Sequence, residues 1–359
     1  MLVMPVAAVN DSSKVKNKDK NMIPMKKVEM YADWMTQYFV STDIEEFDKW
    51  EGATTGDPTP IYDLTGDSDP ILYDVPVISE DGDVVGIIGI WARKDLGVPV
   101  YSLSLNSQKL TTEKAEEITL KNTKEKGIKT GPVNVVYYDF PKRAWEVTLE
   151  KNSKVIKRVL VDQATNEVIS KDKIKPFNSK IDKEKKKHAL KLWEEADKQM
   201  SNKMEGKARG SVEYVLDVPL YGQETDVYCS PASAEMILDY HGYDYTQNEI
   251  ADAMETTESG TPWENIPTGI VNVTGYEFDA GNNWFWDWED VINEIDNGYP
   301  YISNTIGHSR VVRGYHYNTW LFWIKYQRVN DPWPPDEGEI RWENYYTVFE
   351  VFITHVHPE

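Results

Sequence analysis

One stretch constrains the fold more than any other. Residues 218–242 read Val-Pro-Leu-Tyr-Gly-Gln-Glu-Thr-Asp-Val-Tyr-Cys-Ser-Pro-Ala-Ser-Ala-Glu-Met-Ile-Leu-Asp-Tyr-His-Gly. From Ala232 onward Ala234, Met236, Ile237 and Tyr240 recur at helical spacing, and Gly242 supplies a left-handed stop. Pro231 fits only the first turn of such a helix. Cys229 therefore stands at the mouth of a helix with an apolar face. Unpaired N–H groups and the helix dipole at that position favour a thiolate over a thiol. An attack by that thiolate on an amide carbonyl creates an oxyanion, which needs preorganised donors. Gln223, six positions earlier, and the N–H of Cys229 are the candidates.

Cys229 is the single cysteine of 359 residues, so neither an intramolecular disulfide nor a Cys-rich zinc site is open to the chain. Its task is packing or chemistry, and taken alone a lone cysteine is usually a small buried hydrophobe. The length favours two modules, and 40% apolar residues suffice for packed cores. Charge is distributed unevenly. Residues 211–359 hold 26 Asp and Glu against 5 Lys and Arg, a net of −21, while residues 101–210 hold 25 basic and 16 acidic side chains. The acidic region offers no basic stripe for phosphates, which speaks against nucleic acid as a partner. The asymmetry suggests instead that the basic 101–210 region docks on the acidic one and restrains it, a contact that salt should weaken. No apolar run of 18 residues occurs, so no integral membrane segment is expected. Residues 1–9 are apolar and end in small residues, like the back of a secretory signal, which suggests an extracellular or cell-surface protein, otherwise a cytoplasmic one.

The pattern along the chain is α+β. Residues 28–47 read as helix; strands follow at 71–77 and 84–91 around an Asp81-Gly82 turn, then a short helix at 112–121 and strands at 133–138, 144–149 and 155–161. Residues 171–209 read as a solvated, charged helix with one modest apolar stripe. The expected organisation is a possible signal remnant and flexible N-terminus at 1–20, an α+β module at 21–170, a helical linker at 171–210 and a second domain at 211–359. Residues 110–170 resemble the small PepSY-type domains of peptidase pro-regions. The strand pair within 75–90 resembles those in pro-regions of secreted cysteine peptidases.

The more specific resemblance lies in the second domain. Val218-Pro219, Gln223 and Tyr228-Cys-Ser-Pro-Ala-Ser233 are similar to the papain-like cysteine peptidases, and most similar to the bacteriocin-leader-processing branch and its secreted relatives. Ser230 stands where that branch usually has Gly. The resemblance implies a helical half bearing the nucleophile packed on an antiparallel sheet half, a cleft between them, and a peptide or protein substrate. It also implies a histidine on a later strand followed by an acidic or amide partner. Gly307-His308, before a β-run ending Gly314-Tyr315, and Asn330-Asp331-Pro332 at the end of the next strand fit. His308 would take the thiol proton and Asp331 would orient the imidazole, with Asn330 as the alternative partner. Each motif alone is commonly a turn. A catalytically idle domain that binds peptides or surfaces, and a transglutaminase-like acyltransferase, are the competing functions. No cofactor and no metal site is implied.

Other features read as structure. Thr246-Gln-Asn-Glu249 and Thr261-Pro-Trp-Glu264 have capping-box spacing. The Trp284-Phe-Trp-Asp-Trp288 cluster is either a cleft wall or aromatic packing. His316, His355 and His357 form no recognisable metal set.

Overall fold

Helix α1, Met25–Val40, buries Val28, Tyr31, Ala32, Met35 and Phe39 along one face, as their three- and four-residue spacing requires. It ends earlier than its apolar pattern suggests. The hydroxyls of Ser41 and Thr42 turn back onto the carbonyls of Tyr38 and Phe39 at 2.7 and 2.6 Å, a local alternative to helical hydrogen bonding. The chain then resumes as a 3-10 turn at Glu45–Trp50. The structure is a computed structural model that describes residues 21–64, 69–105, 112–123, 125–175, 183–201, 209–346 and 350–359. The apolar run at residues 1–9 lies outside the described residues.

Strands β1 Thr54–Thr55, β2 Thr59–Asp63, β3 Leu72–Ile78, β4 Val84–Trp91 and β5 Val100–Ser104 come next, then helix α2 Thr112–Lys121. A meander follows: β6 Lys129–Asp139, β7 Lys142–Lys151 and β8 Lys154–Asp162. After α3, Lys183–Ser201, come β9 Ser211–Val215 and three helices, α4 Cys229–Tyr240, α5 Gln247–Ala253 and α6 Asn265–Val273. The chain closes with β10 Phe278–Asn283, α7 Trp288–Asp296, β11 Tyr301–Thr305, β12 His308–Asn318, β13 Lys325–Asp331, β14 Glu339–Asn344 and β15 Glu350–Pro358. The fold is mixed α+β, with helices packed on one large sheet.

The sheet has the order β10-β15-β11-β12-β13-β14-β5-β4-β3-β2-β6-β7-β8, with β9 on β12 and β1 on β3. Its described pairs are antiparallel except β2 with β6. The pivotal pair is β14 with β5, which sets Arg341 opposite Ser104, Trp342 opposite Leu103 and Glu343 opposite Ser102. Through it the sheet crosses residue 210 without interruption, and so does the packing. One core gathers α1, β3, β4 and β5 together with Leu321, Trp323, Ile324, Tyr326 and Trp342. A second core packs α4, α5, α6 and α7 on β11, β12 and β15.

The charged helix α3 is docked rather than solvated. Ala189, Leu192, Trp193 and Ala196 recur at helical spacing, and all four are buried. On its flank Asp197 meets Lys27 at 2.5 Å and the hydroxyl of Tyr31 at 2.9 Å, and Gln199 accepts from the indole of Trp323 at 2.7 Å. The capping box predicted at Thr246 forms with Glu249, and a second closes between Asp287 and Asp290 at the start of α7. The one expected at Thr261 does not form. Helix α6 begins at Asn265 with no side-chain cap, and Thr261 bonds the hydroxyl of Thr256 instead.

Candidate active site

Cys229 is the first residue of α4, where Tyr228 provides no side-chain cap, so the helix mouth is left for the thiol to face. The loop in front of it is tightly held. The N–H of Gln223 donates to the carbonyl of Pro332 at 2.9 Å, and its own carbonyl accepts from Asp336 at 3.1 Å. Gly222 is required by this close passage, because a Cβ there would lie 2.3 Å from the backbone nitrogen of Glu337. Buried Gln247 secures the other side. Its amide donates to the carbonyl of Gly222 and to Glu235, and its oxygen accepts from the N–H of Glu224, all at 2.9 Å. The Gln223 amide donates one hydrogen to the carbonyl of Thr225 at 2.5 Å, while its buried oxygen has no partner. A primary amide has a second N–H to give.

The early residues of β12 face the helix mouth. Ser309 and Ser230 share a hydroxyl hydrogen bond of 2.9 Å that ties strand to helix. His308 is buried and its Nε2 lies 2.6 Å from Oδ1 of Asp331, the last residue of β13. His308 is also the first of the influences that favour the Cys229 thiolate. Burial alone would raise the Cys229 thiol. The hydrogen bond and charge of His308, the backbone N–H of Ser309 and the charge of Lys142 outweigh it and leave the thiol below its ordinary value. Burial alone would lower His308, yet Asp331 and the thiol push it up to about 9. Burial likewise opposes the charge on Asp331, but His308, Arg341 and the N–H of Trp333 hold its carboxyl well below the usual carboxylate range. The three groups thus favour a thiolate, an imidazolium and a carboxylate in series.

Asp331 is wholly buried, and its second oxygen is held by Arg341 at 2.6 Å. Arg341 also reaches Glu343 at 2.5 Å and Glu339 at 3.2 Å, and Glu343 pairs with the buried Arg310. Glu339 in turn accepts from the hydroxyl of Ser104 on β5 at 2.6 Å. Asn330 faces elsewhere. Its amide donates to the carbonyls of Val218 and Pro219 at 3.1 and 2.9 Å, and its oxygen accepts from Arg313 at 2.8 Å. The alternative partner for the imidazole is therefore engaged in fixing the incoming loop, and Asp331 is the residue that His308 meets.

Arg341, Gln247, Ser309 and Lys142 escaped the sequence reading. For Arg341 a signal existed: residues 211–359 contain five basic residues among 26 acidic ones. Arg310, Arg313, Arg328 and Arg341 all prove to be engaged with carboxylates or amide oxygens, and Lys325 lies over the rings of Trp288 and Tyr346. A scarce charge in an oppositely charged region marks a position with a specific partner. The aromatic cluster splits: Trp288 is buried, Trp284 packs on Phe352 at 4.5 Å, and Phe285 is 94% exposed. His316 is sealed against Tyr38, and burial pushes its pKa down to about 3. His357 bonds Glu294 at 2.7 Å. Among the described residues no group of three or more His, Cys, Asp or Glu could hold a metal, and no helix is long and apolar enough to cross a membrane.

A thiol polarised by an imidazole at a helix mouth, with a carboxylate behind the ring, is the arrangement used for nucleophilic attack on acyl groups. Residues 215–354 match the family described as the Peptidase_C39 like family. That match points to a peptidase. Comparison with curated proteins gave no match. Among solved structures the chain is similar to the peptidase domain of Streptococcus ComA, a bi-functional ABC transporter involved in a quorum sensing pathway. The identity is 18% over 39% of this chain and 98% of that one, with a TM-score of 0.31. It is similar also to a double glycine motif protease from an AMS/PCAT transporter in complex with the leader peptide, at 18% identity over 40% and 94% of the two chains and a TM-score of 0.30. A C39-like peptidase from Bacillus anthracis is 13% identical over 40% and 97%, with a TM-score of 0.32.

Proposed function

We propose that this protein is a cysteine peptidase that hydrolyses peptide bonds through Cys229, His308 and Asp331. The observation that carries the reading is the buried His308–Asp331 hydrogen bond together with a thiol at an uncapped helix mouth that His308 holds below its ordinary pKa. The Cys229 thiolate attacks the scissile carbonyl carbon and forms a C–S bond. The oxyanion is met by the N–H of Cys229 and by the second amide hydrogen of Gln223. His308, protonated, gives its proton to the leaving amine as the C–N bond breaks, which leaves a thioester. A water then loses a proton to His308 and adds to the thioester carbonyl, and collapse releases the carboxylate product and restores the thiolate. Asp331 keeps the ring oriented and favours its charged form.

The basic region is proposed to dock on the acidic one and to regulate it. In support, Lys173 pairs with Asp226 at 2.6 Å, and Lys185 donates to the carbonyl of Glu350 at 3.2 Å. We read 211–359 as the catalytic module and 21–170, with its PepSY-like part at 110–170, as the module that acts on it.

Alkylation of the single thiol tests the reading. Rapid, stoichiometric modification by iodoacetamide near pH 6, abolished with peptide hydrolysis in His308→Ala, is the expected result. A thiol that reacts like free cysteine, unchanged by His308→Ala, overturns it.

A further inference from the structure

We propose that Lys142, at the tip of the β6–β7 hairpin, is a positioning residue of the active site, so that the N-terminal region completes the site rather than merely covering it. This rests on the reading of Cys229 as nucleophile. The Lys142 ammonium donates to the carbonyl of Asp226, three residues before Cys229, at 3.2 Å. It also lies 4.4 Å from the centre of the Trp333 ring. Trp333 in turn gives its backbone N–H to Oδ1 of Asp331 at 2.9 Å, the same oxygen that meets His308. One ammonium thus spans the loop that delivers the nucleophile and the loop that leaves the carboxylate.

Position and charge act together here. The loop before Cys229 is otherwise secured at Gln223, at the N–H of Glu224 and at Tyr228, whose hydroxyl donates to Asn248 at 3.0 Å, while the side chains of Glu224, Thr225 and Asp226 between them are exposed. Lys142 and the Lys173–Asp226 pair fasten this stretch from the N-terminal side. The same ammonium is among the charges that lower the thiol, after His308 and the N–H of Ser309. The charged groups around it are Asp226 and Lys173 on the loop side and His308 and Asp331 behind the thiol. A cation over the face of a tryptophan is attracted by the ring quadrupole, which helps hold it in place. The surrounding 211–359 region is acidic and lends the thiolate few positive charges of its own, so a lysine brought by another part of the chain fills that need.

The consequence is directional. A hairpin that only obstructed the site would, when altered, leave the thiol as acidic as before. A hairpin that positions it would, when altered, make the thiol less acidic. The test compares Lys142→Met, which keeps the stem and loses the charge, with Lys142→Arg in the full chain, reading the pH dependence of iodoacetamide alkylation of Cys229. Lys142→Met is expected to move the midpoint upward and to slow alkylation at pH 6 about threefold, with Lys142→Arg restoring both. Added salt is expected to move the wild-type midpoint upward and to leave that of Lys142→Met nearly unchanged. A Lys142→Met midpoint equal to a depressed wild-type one overturns this inference and leaves the peptidase reading standing. A wild-type midpoint typical of free cysteine overturns both.

Discussion

The first core draws its side chains from residues 23–140, from α3 and from residues 321–342, whereas the second lies wholly within residues 216–356. The two divide the candidate site between them. Cys229 belongs to the second, through α4 packed on β12. Asp331 stands at the border, because its partner Arg341 sits on β14, whose far side is closed by β5 of the N-terminal region. The thiol end of the site is therefore seated on the second core and only lightly fastened from the N-terminal side, whereas the carboxylate end is built by two stretches of chain more than two hundred residues apart. A compositional boundary near residue 210 separates charges but not packing.

The sharpest way to break this comparison is to cut the chain at it. In a 211–359 fragment Trp323, Tyr326 and Trp342, all fully buried in the whole protein, would lose the partners supplied by α1, β4 and β5. Burying a large apolar side chain is worth about 1.5–3 kcal/mol, and a typical domain is stable by about 5–15 kcal/mol. The fragment is expected to be insoluble or unfolded by circular dichroism. A soluble fragment with a cooperative melt and a reactive Cys229 would show that the second core suffices.

Next in size are changes within the site itself. His308→Ala should lower kcat/KM about a thousandfold or more while the melt stays cooperative. Asp331→Asn should lower it by a similar order, since the imidazole would lose both its orientation and the charge behind it. Asn330→Ala separates the two neighbours: it should loosen the loop at Val218 and Pro219 and lower the melting temperature, yet leave the pH dependence of Cys229 alkylation in place. A profile shifted by Asn330→Ala and not by Asp331→Asn would exchange their roles.

The acidity of these groups gives the comparison a pH axis. His308 has its pKa raised from 6.5 to about 9, so the stability it contributes is whole below about pH 6.5 and is lost as pH rises through 9. Asp331 has its pKa depressed, so its contribution is whole above about pH 3.8 and is lost as pH falls through its folded value. Hydrolysis should therefore rise as the thiol ionises and fall near pH 9, where the imidazolium loses the proton owed to the leaving amine. The two limbs belong to the thiol and imidazole as a pair. A profile flat beyond pH 10 would remove His308 from the proton-donor role.

What could be read from the chain beforehand follows the same division. Cys229, His308 and Asp331 each occupy an element boundary marked by its own neighbours: Pro231 and Gly242 around the helix, Gly307 before one strand, Pro332 after another. Such marks are local and survive without knowledge of the fold. The strand at 100–104 lacks any mark that names its partner, and its pairing with β14 is decided by which edges remain open once both cores have formed. The docking of α3 was hidden for a related reason, since Trp193 and Leu192 make a narrow stripe within a run of lysines and glutamates. Lys142 carried no signal at all. Its meaning comes from a hairpin tip reaching a loop more than eighty residues away.

Between the two cores the contacts themselves should differ in strength, and Glu46 marks the stronger kind. It pairs with Arg328, which is 5% exposed, and accepts from the indole of Trp342 at 2.6 Å. Glu46→Ala would leave a buried guanidinium without its carboxylate, and breaking such a pair from one side costs about 3 kcal/mol or more. Urea unfolding should show that loss with little change in slope. An unchanged midpoint would mean that water takes over the partnership and that the junction is looser than its burial implies.

The weakest contact is the one between Lys173 and Asp226, whose side chains are 53% and 47% exposed. Each partner has its pKa moved toward the charged form, first by their mutual hydrogen bond. Solvent and salt screen such a pair, and Lys173→Ala is expected to lower stability by less than about 1 kcal/mol, with the difference vanishing at high ionic strength. Equilibrium urea unfolding at low and high salt measures it. If Lys173→Ala instead destabilised the chain as much as Glu46→Ala, at every salt concentration, the surface lysines of the basic region would hold the two halves together as firmly as the buried junction does. The division between a packed carboxylate end and a lightly fastened thiol loop would then have to be abandoned.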